Sequence, residues 1–302
     1  MEKAWKESYD QLTKEGYEEV RRGNFKTARD LFLLARKLAE SAGEQLEIDR
    51  SVCNLSTVEL SVSNFRGAEK GLREILLRCA DHQILFIASA NLASSLAKQG
   101  QVNRAFFYCR RALAESASLD PHWKAIAHNR LANLYLMQSY FHEAIAEYRA
   151  ALEIARGAGI GDRWPAEHYL DNLGYCLVLV QEYREGILRI HEALGLARSR
   201  RNQRCITECF QDLSFAYMQL RSLRKAELYG RRALGMALRK QYTDIVKTCY
   251  YLLGEIHYLQ GNEKESDFYF GKLQEFYPGL EFLKDFLKTF DVSRILNFKN
   301  PS

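Results

Sequence analysis

Residues 131–155 read LANLYLMQSYFHEAIAEYRAALEIA, and on one continuous helix their apolar positions leave no clean polar face. A break near QSYF divides the stretch into two amphipathic halves, each with apolar residues three and four positions apart. The pattern therefore predicts two antiparallel helices joined by a tight turn.

The same pattern returns along the chain. The pair Leu131-Ala132 reappears as Leu55-Ser56, Leu92-Ala93, Leu173-Gly174, Leu213-Ser214 and Leu253-Gly254, and Gly16 holds the small position near the start. Successive small residues are 40, 37, 39, 42, 40 and 40 positions apart. Nine positions after each stands Phe25, Phe65, Val102, Phe141, Tyr183 or Leu223, with Glu263 breaking the series. Twelve after it stands Ala28, Ala68, Ala105, Ala144, Gly186, Ala226 or Ser266. Nineteen after it come Ala35, Ala112, Ala151, Ala193 and Ala233, with Ile75 and Leu273 as exceptions. Small residues at these places let two helices approach closely, with a bulky neighbour filling the gap. The turns are RRGNF, SVSNF, KQGQV, MQSYF, VQEYR, QLRSL and LQGNE. Seven hairpins are predicted.

These columns resemble the tetratricopeptide repeat over roughly residues 5–278, and Pro278 stands where a closing Pro is common. The spacing near 40 is similar to the longer variety of that repeat. The resemblance implies an all-α, right-handed superhelical solenoid, with residues 1–278 as one body rather than two domains. Residues 279–302 are expected to form a capping helix and tail. Leu280, Leu283, Phe286, Leu287 and Phe290 make one apolar stripe, with a docking surface for another subunit as the alternative. Ile295, Leu296 and Phe298 are expected to fold back on the cap.

Composition narrows the class. The chain has 302 residues, 47% hydrophobic and 27% charged, with a net charge of +5. No apolar run is long enough for a membrane span, and the charged opening MEKAWKESYD is unlike a secretory signal. Seven cysteines without a CxxC pair point to a reducing, cytoplasmic setting.

Catalytic signals are weak, and the expectation is a non-enzyme without cofactor or metal. RGAGIGDRWP at 156–165 has three glycines but lacks the strand and the Lys-Ser/Thr of a phosphate loop. The seven histidines form no HExxH. Cys205 and Cys209 lie one helical turn apart, which suits a soft metal, an oxidative bridge or, the favoured reading, simple packing. Residues 198–240 carry eleven Lys/Arg against Glu208, Asp212 and Glu227. Most fall in loops and outer second helices, which favours a solvated face over nucleic acid.

The resemblance also implies a concave side lined by first helices. Away from the Leu-small pair, these offer Ile126, Asn129, Asn133 and Leu136, then His168, Asp171, Asn172 and Tyr175. The next two offer Glu208, Gln211, Asp212 and Phe215, then Tyr251, Glu255 and Tyr258. Amides, carboxylates and aromatic rings on one face suit an extended peptide. Asn129, Asn133 and Asn172 resemble the asparagines of repeats that clamp an acidic C-terminal tail. Such clamps require Lys and Arg in the following first helix, where this chain has Glu208 and Asp212. The expected ligand is therefore a protein or peptide that is basic or neutral, with apolar anchors.

Two functions compete on this reading. One is a scaffold or adaptor binding its partner in the groove; capture should then fail when Phe215, Tyr251 and Tyr258 are truncated together. The other is a peptide-responsive regulatory module, because the 40-residue spacing is also similar to bacterial sensors of that kind. The sequence leaves the oligomeric state open.

Overall fold

The aromatic column marks where helices begin. The computed structural model describes residues 2–159, 166–289 and 299. In it, second helices start at Phe25, Phe65, Val102, Phe141, Tyr183, Leu223 and Glu263, the residues nine positions after each small one. Among the described residues there is no strand.

Two compact units divide the chain, Met1–Leu134 and Tyr135–Ser302. The first contains α1 (Glu2–Arg22), α2 (Phe25–Ala42), α3 (Gln45–Ser61), α4 (Phe65–Arg78), α5 (His82–Lys98) and α6 (Val102–Glu115). The boundary falls inside α7 (Pro121–Met137). The second contains α8 (Phe141–Gly157), α9 (Ala166–Leu179), α10 (Tyr183–Ser199), α11 (Gln203–Gln219) and α12 (Leu223–Lys240). It continues with α13 (Thr243–Leu259), α14 (Glu263–Gln274) and α15 (Leu283–Thr289). Within each unit consecutive helices pack in turn, α1 through α6 and α8 through α15. First helices also touch one another, α3 with α5 in the first unit and α9 with α11 with α13 in the second.

One backbone feature fixes the hairpin turns. Seven positions after each small residue the chain enters the left-handed region, at Gly23, Ser63, Gly100, Ser139, Gln181, Arg221 and Gly261, with φ between 56° and 81°. The next N–H then reaches back to the carbonyl five residues earlier, as Asn64 does to Glu59 at 2.8 Å and Asn262 to His257 at 2.9 Å. That bond satisfies a carbonyl the helix end would otherwise leave open.

The small columns are buried as their spacing requires. Ala28, Ala105, Ala144 and Ala226 are wholly inaccessible, as are Ala35, Ala151, Ala193 and Ala233. A bulky residue sixteen positions on covers the small one. A methyl group on Gly16 would lie 2.5 Å from the Phe32 ring, and one on Gly254 would lie 2.5 Å from the Phe270 ring. In α12 the roles exchange: Gly230 faces Ser214, and a methyl on Gly230 would lie 2.8 Å from the Ser214 hydroxyl.

Polar side chains tie neighbouring first helices together. Asn91 Nδ2 on α5 donates to Ser56 Oγ at 2.9 Å and Thr57 Oγ1 at 3.1 Å on α3. Tyr9 on α1 donates its buried hydroxyl to the Glu47 carbonyl at 3.0 Å. Within one hairpin, Asp49 of α3, 2% exposed, takes Arg78 Nη1 of α4 at 2.9 Å and a second contact from Nη2.

Among the described residues, α15 starts later than the apolar stripe predicts. A turn through Pro278 and Gly279 delays α15 to Leu283, leaving Leu280 and Phe286 exposed while Leu287 is buried. Lys284 Nζ pairs with Asp267 of α14 at 3.0 Å, and Lys288 pairs with the same carboxylate. Phe290, Ile295, Leu296 and Phe298 lie outside the described residues, as does Gly161 of the glycine stretch. Gly157 of that stretch closes α8.

Candidate functional site

The contact between α9 and α11 brings together six of the polar and aromatic residues expected on a groove: His168, Asp171, Tyr175, Glu208, Asp212 and Phe215. Helical spacing sets Asp171 and Tyr175 on one side of α9, and Glu208, Asp212 and Phe215 on the facing side of α11. The start of α11 is fixed by Asn202, whose Oδ1 accepts from the Cys205 N–H at 3.2 Å. The Tyr175 and Phe215 rings lie 5.6 Å apart at a 40° tilt, both buried.

Lys299 stands in this setting. Its Nζ pairs with Asp171 Oδ2, lies 2.7 Å from Asp212 Oδ2, and is 5.9 Å from the centre of the Tyr175 ring. Both carboxylates are 1% exposed, and the lysine side chain is 9% exposed. Burial opposes the charge on Lys299, but Asp171, Asp212 and Glu208 outweigh it and hold the ammonium well above its ordinary range. Burial pushes the Asp212 carboxyl well above its ordinary range, against the pull of Lys299.

A second cluster borders the first. His168 Nδ1 lies 3.7 Å from Glu208 Oε2, and Arg204 Nε donates to Glu208 Oε1 at 2.9 Å. Arg204 also reaches Asp244 of α13 at 2.5 Å. Burial raises the Glu208 carboxyl, yet His168, Lys299 and Arg204 together bring it below the usual range. Burial likewise disfavours a charged His168, but Cys205 and Glu208 prevail and lift it to about 10. Against this, Asn202 Nδ2 lies 3.1 Å from Nε2, a donor that favours the neutral ring. A hydrogen bond from Cys209, 4.0 Å away, lowers the Cys205 thiol, and His168 adds to the effect.

His168, Cys205 and Glu208 offer donor atoms within 4.8 Å of one another, a set that could hold a borderline-soft divalent cation. Glu208 is also engaged by Arg204 at 2.9 Å. All seven cysteines are free thiols.

The remaining expected residues are dispersed. Asn129 and Asn133 belong to the first unit, and Asn129 is buried. Asn172 bonds the buried Tyr148 hydroxyl. Gln211 Nε2 donates to Asp212 Oδ1 at 3.3 Å. Tyr251 and Glu255 are buried on α13, with Tyr251 against Phe270, whereas Tyr258 is 42% exposed. In the basic segment, Arg200 pairs with Glu167 and Arg231 with Glu227, and Arg198 lies over the Phe210 ring. Those cations are engaged within the protein. The residue that sequence reasoning missed is Lys299, which carries no periodic signal.

Among the described residues, no helix is long and apolar enough to cross a membrane. Residues 125–157 match the tetratricopeptide repeat family. No curated protein matches the sequence. Solved structures do. One is a signal transduction ATPase with numerous domains from Pyrococcus horikoshii, which carries a tetratricopeptide repeat sensor; identity is 20% and the TM-score 0.67. The match covers 92% of this chain, which spans only 43% of the ATPase. RapI in its apo form matches at 14% identity and a TM-score of 0.68, over 88% of this chain and 76% of RapI. A Rap protein complexed with Competence and Sporulation Factor matches at 13% identity and a TM-score of 0.68, over 93% of this chain and 76% of that one. At these identities the likeness concerns the fold. With its regular hairpins, buried small columns and recurring turn geometry, the chain has a tetratricopeptide-like helical-repeat fold.

Proposed function

We propose that this protein is a non-catalytic scaffold that binds a protein or peptide partner on the first-helix face of its second unit. One observation carries the reading: carboxylates from α9 and α11 and the Tyr175 ring converge on an ammonium group. Three carboxylates, Asp171, Glu208 and Asp212, make the face suited to a basic or neutral ligand, and the exposed Tyr258 of α13 offers apolar contact. The ion-paired state of Arg200, Arg204 and Arg231 supports this reading over nucleic-acid binding.

An array of peptides varied in lysine and aromatic content tests the proposal. The wild-type chain should retain peptides combining a lysine with apolar residues. Glu208→Gln combined with Tyr258→Ala should weaken retention severalfold at unchanged helical content. Equal retention by that variant would reject the face.

A second reading is a ligand-responsive module acting through a partner chain. It draws on the repeat sensor of the Pyrococcus horikoshii ATPase and on the Rap protein solved with Competence and Sporulation Factor. A change in small-angle scattering on adding a retained peptide would favour it; an adaptor should change little.

A further inference from the structure

Stacked hairpins contact their neighbours, and their polar links span about one repeat. Lys6 with Glu47 is separated by 41 positions, and Arg204 with Asp244 by 40. Lys299 and Asp171 are 128 positions apart. This ion pair skips over the intervening hairpins, so it is not part of the repeat architecture. Helix contacts also join α9 to α10 and to α11.

The receiving site is built rather than incidental. Asp171 and Asp212 come from two different helices, are each 1% exposed, and converge on one nitrogen atom. Asp171 Oδ1 is buried without a hydrogen-bond partner, so the site offers more acceptor capacity than Lys299 uses. Glu208 adds a third negative charge acting on the same ammonium. The Tyr175 ring provides the cation with an aromatic neighbour. Without a cation here, two buried carboxylates would face each other, which is strongly unfavourable.

From this geometry we infer that Asp171, Asp212 and Tyr175 form a recognition site for a lysine side chain, and that Lys299 fills it in cis as a built-in competitor. A basic peptide ligand therefore has to displace the chain's own lysine. The inference rests on the partner-binding reading above and adds the chemistry of the central pocket and its self-occlusion. If the tail leaves the site only a tenth of the time, apparent affinity for an outside ligand falls about tenfold.

The probe is a fluorescein-labelled peptide of sequence DVSRILNFKNPS, residues 291–302. Anisotropy should show it binding the full-length Lys299→Ala variant about tenfold or more tightly than wild type. A peptide with alanine in place of its lysine should lose that binding, as should the peptide on Lys299→Ala combined with Asp171→Asn and Asp212→Asn. Equal affinity for wild type and Lys299→Ala, or equal binding of the lysine-free peptide, would overturn the inference. Because Lys299→Ala leaves two buried acids unpaired and is at risk of unfolding, amine acetylation of the unaltered chain gives a second readout. Lys299 should react far more slowly than exposed Lys240 and Lys264, and excess peptide should accelerate it. Acetylation of Lys299 at the rate of Lys240 would sink the idea. Such a failure leaves the scaffold reading intact, since that is decided by array retention on Glu208 and Tyr258 variants.

Discussion

Gly174 and Gly186 face each other across α9 and α10 with no room for a side chain on either. A methyl on Gly174 would sit 2.7 Å from the Gly186 carbonyl oxygen, and one on Gly186 would sit 2.8 Å from the Gly174 carbonyl oxygen. Both obstacles are backbone atoms, which a rotamer change cannot clear.

Gly186→Ala is therefore expected to destabilise the protein by about 1–3 kcal/mol, and Gly186→Trp by more. Gly157 has nothing within 4 Å of an added methyl group, so Gly157→Ala and Gly157→Trp should be nearly silent. Urea unfolding of the four variants decides the matter; equal shifts at the two positions would contradict the packing.

The left-handed turns predict a gain. Ser63, Gln181 and Arg221 hold φ of 60°, 69° and 56°, where a side chain is strained by roughly 1–2 kcal/mol. Glycine removes that strain but adds roughly 0.5–1 kcal/mol of unfolded-state entropy. Each change to Gly should thus stabilise by about 0.5–1 kcal/mol net. The three sites are far apart in sequence, so the triple variant should show roughly the sum in its melting temperature.

Arg78→Ala strips the buried Asp49 of its two-pronged partner, leaving Gln45 Nε2 at 2.9 Å as a hydrogen-bond donor. A loss of about 1–3 kcal/mol is expected, as for a charged acceptor left short of donors. Asp49→Asn in the same background should recover part of it. A double-mutant cycle with no coupling would show that the pair is merely adjacent.

His168 gives stability a pH dependence. Its folded value is raised from 6.5 to about 10 by Cys205 and Glu208, against burial and the Asn202 donor. Its contribution is then complete below about pH 6.5 and disappears as pH climbs toward 10. Compared in a Cys205→Ser background, His168→Gln should trail most at pH 6 and converge near pH 10, although loss of the thiol partner narrows the interval. A constant difference across those pH values would mean that the ring is neutral when folded.

The hairpins were legible because each column is set by local contact. Alanine at 12 and 19 positions from the small residue reports close helix approach wherever it occurs. The turn conformation was legible at Gly23, Gly100 and Gly261 but silent at Gln181 and Arg221, whose side chains give no sign of a left-handed backbone. Placing Asp171, Glu208 and Asp212 on one face followed from helical spacing together with the lining of first helices that the repeat resemblance implies. That reasoning could not foresee burial of Tyr175, Phe215 and Tyr251, which lie against a ring of another helix: Tyr175 and Phe215 against each other, and Tyr251 against Phe270. The same burial makes Phe215 and Tyr251 poor truncation probes, since emptying such positions costs about 3–5 kcal/mol in packing alone. Lys299 was invisible because the apolar residues around it drew the tail toward the cap, and a lone cation 128 residues from its partner leaves no pattern to detect.

The exchange between Gly230 under Ser214 and Gly254 under Phe270 bears on how freely such an array can be rearranged. A first helix carrying the serine of Ser214 in place of Gly254, joined to the second helix carrying Phe270, would drive its side chain into a ring that a bare methyl already meets at 2.5 Å. Grafts that cut at the hairpin tip should misfold, while those that cut between hairpins should be tolerated. Duplicated segments inherit the same rule: divergence at either half is viable only when its mate changes in step, so the modules are heritable as couples.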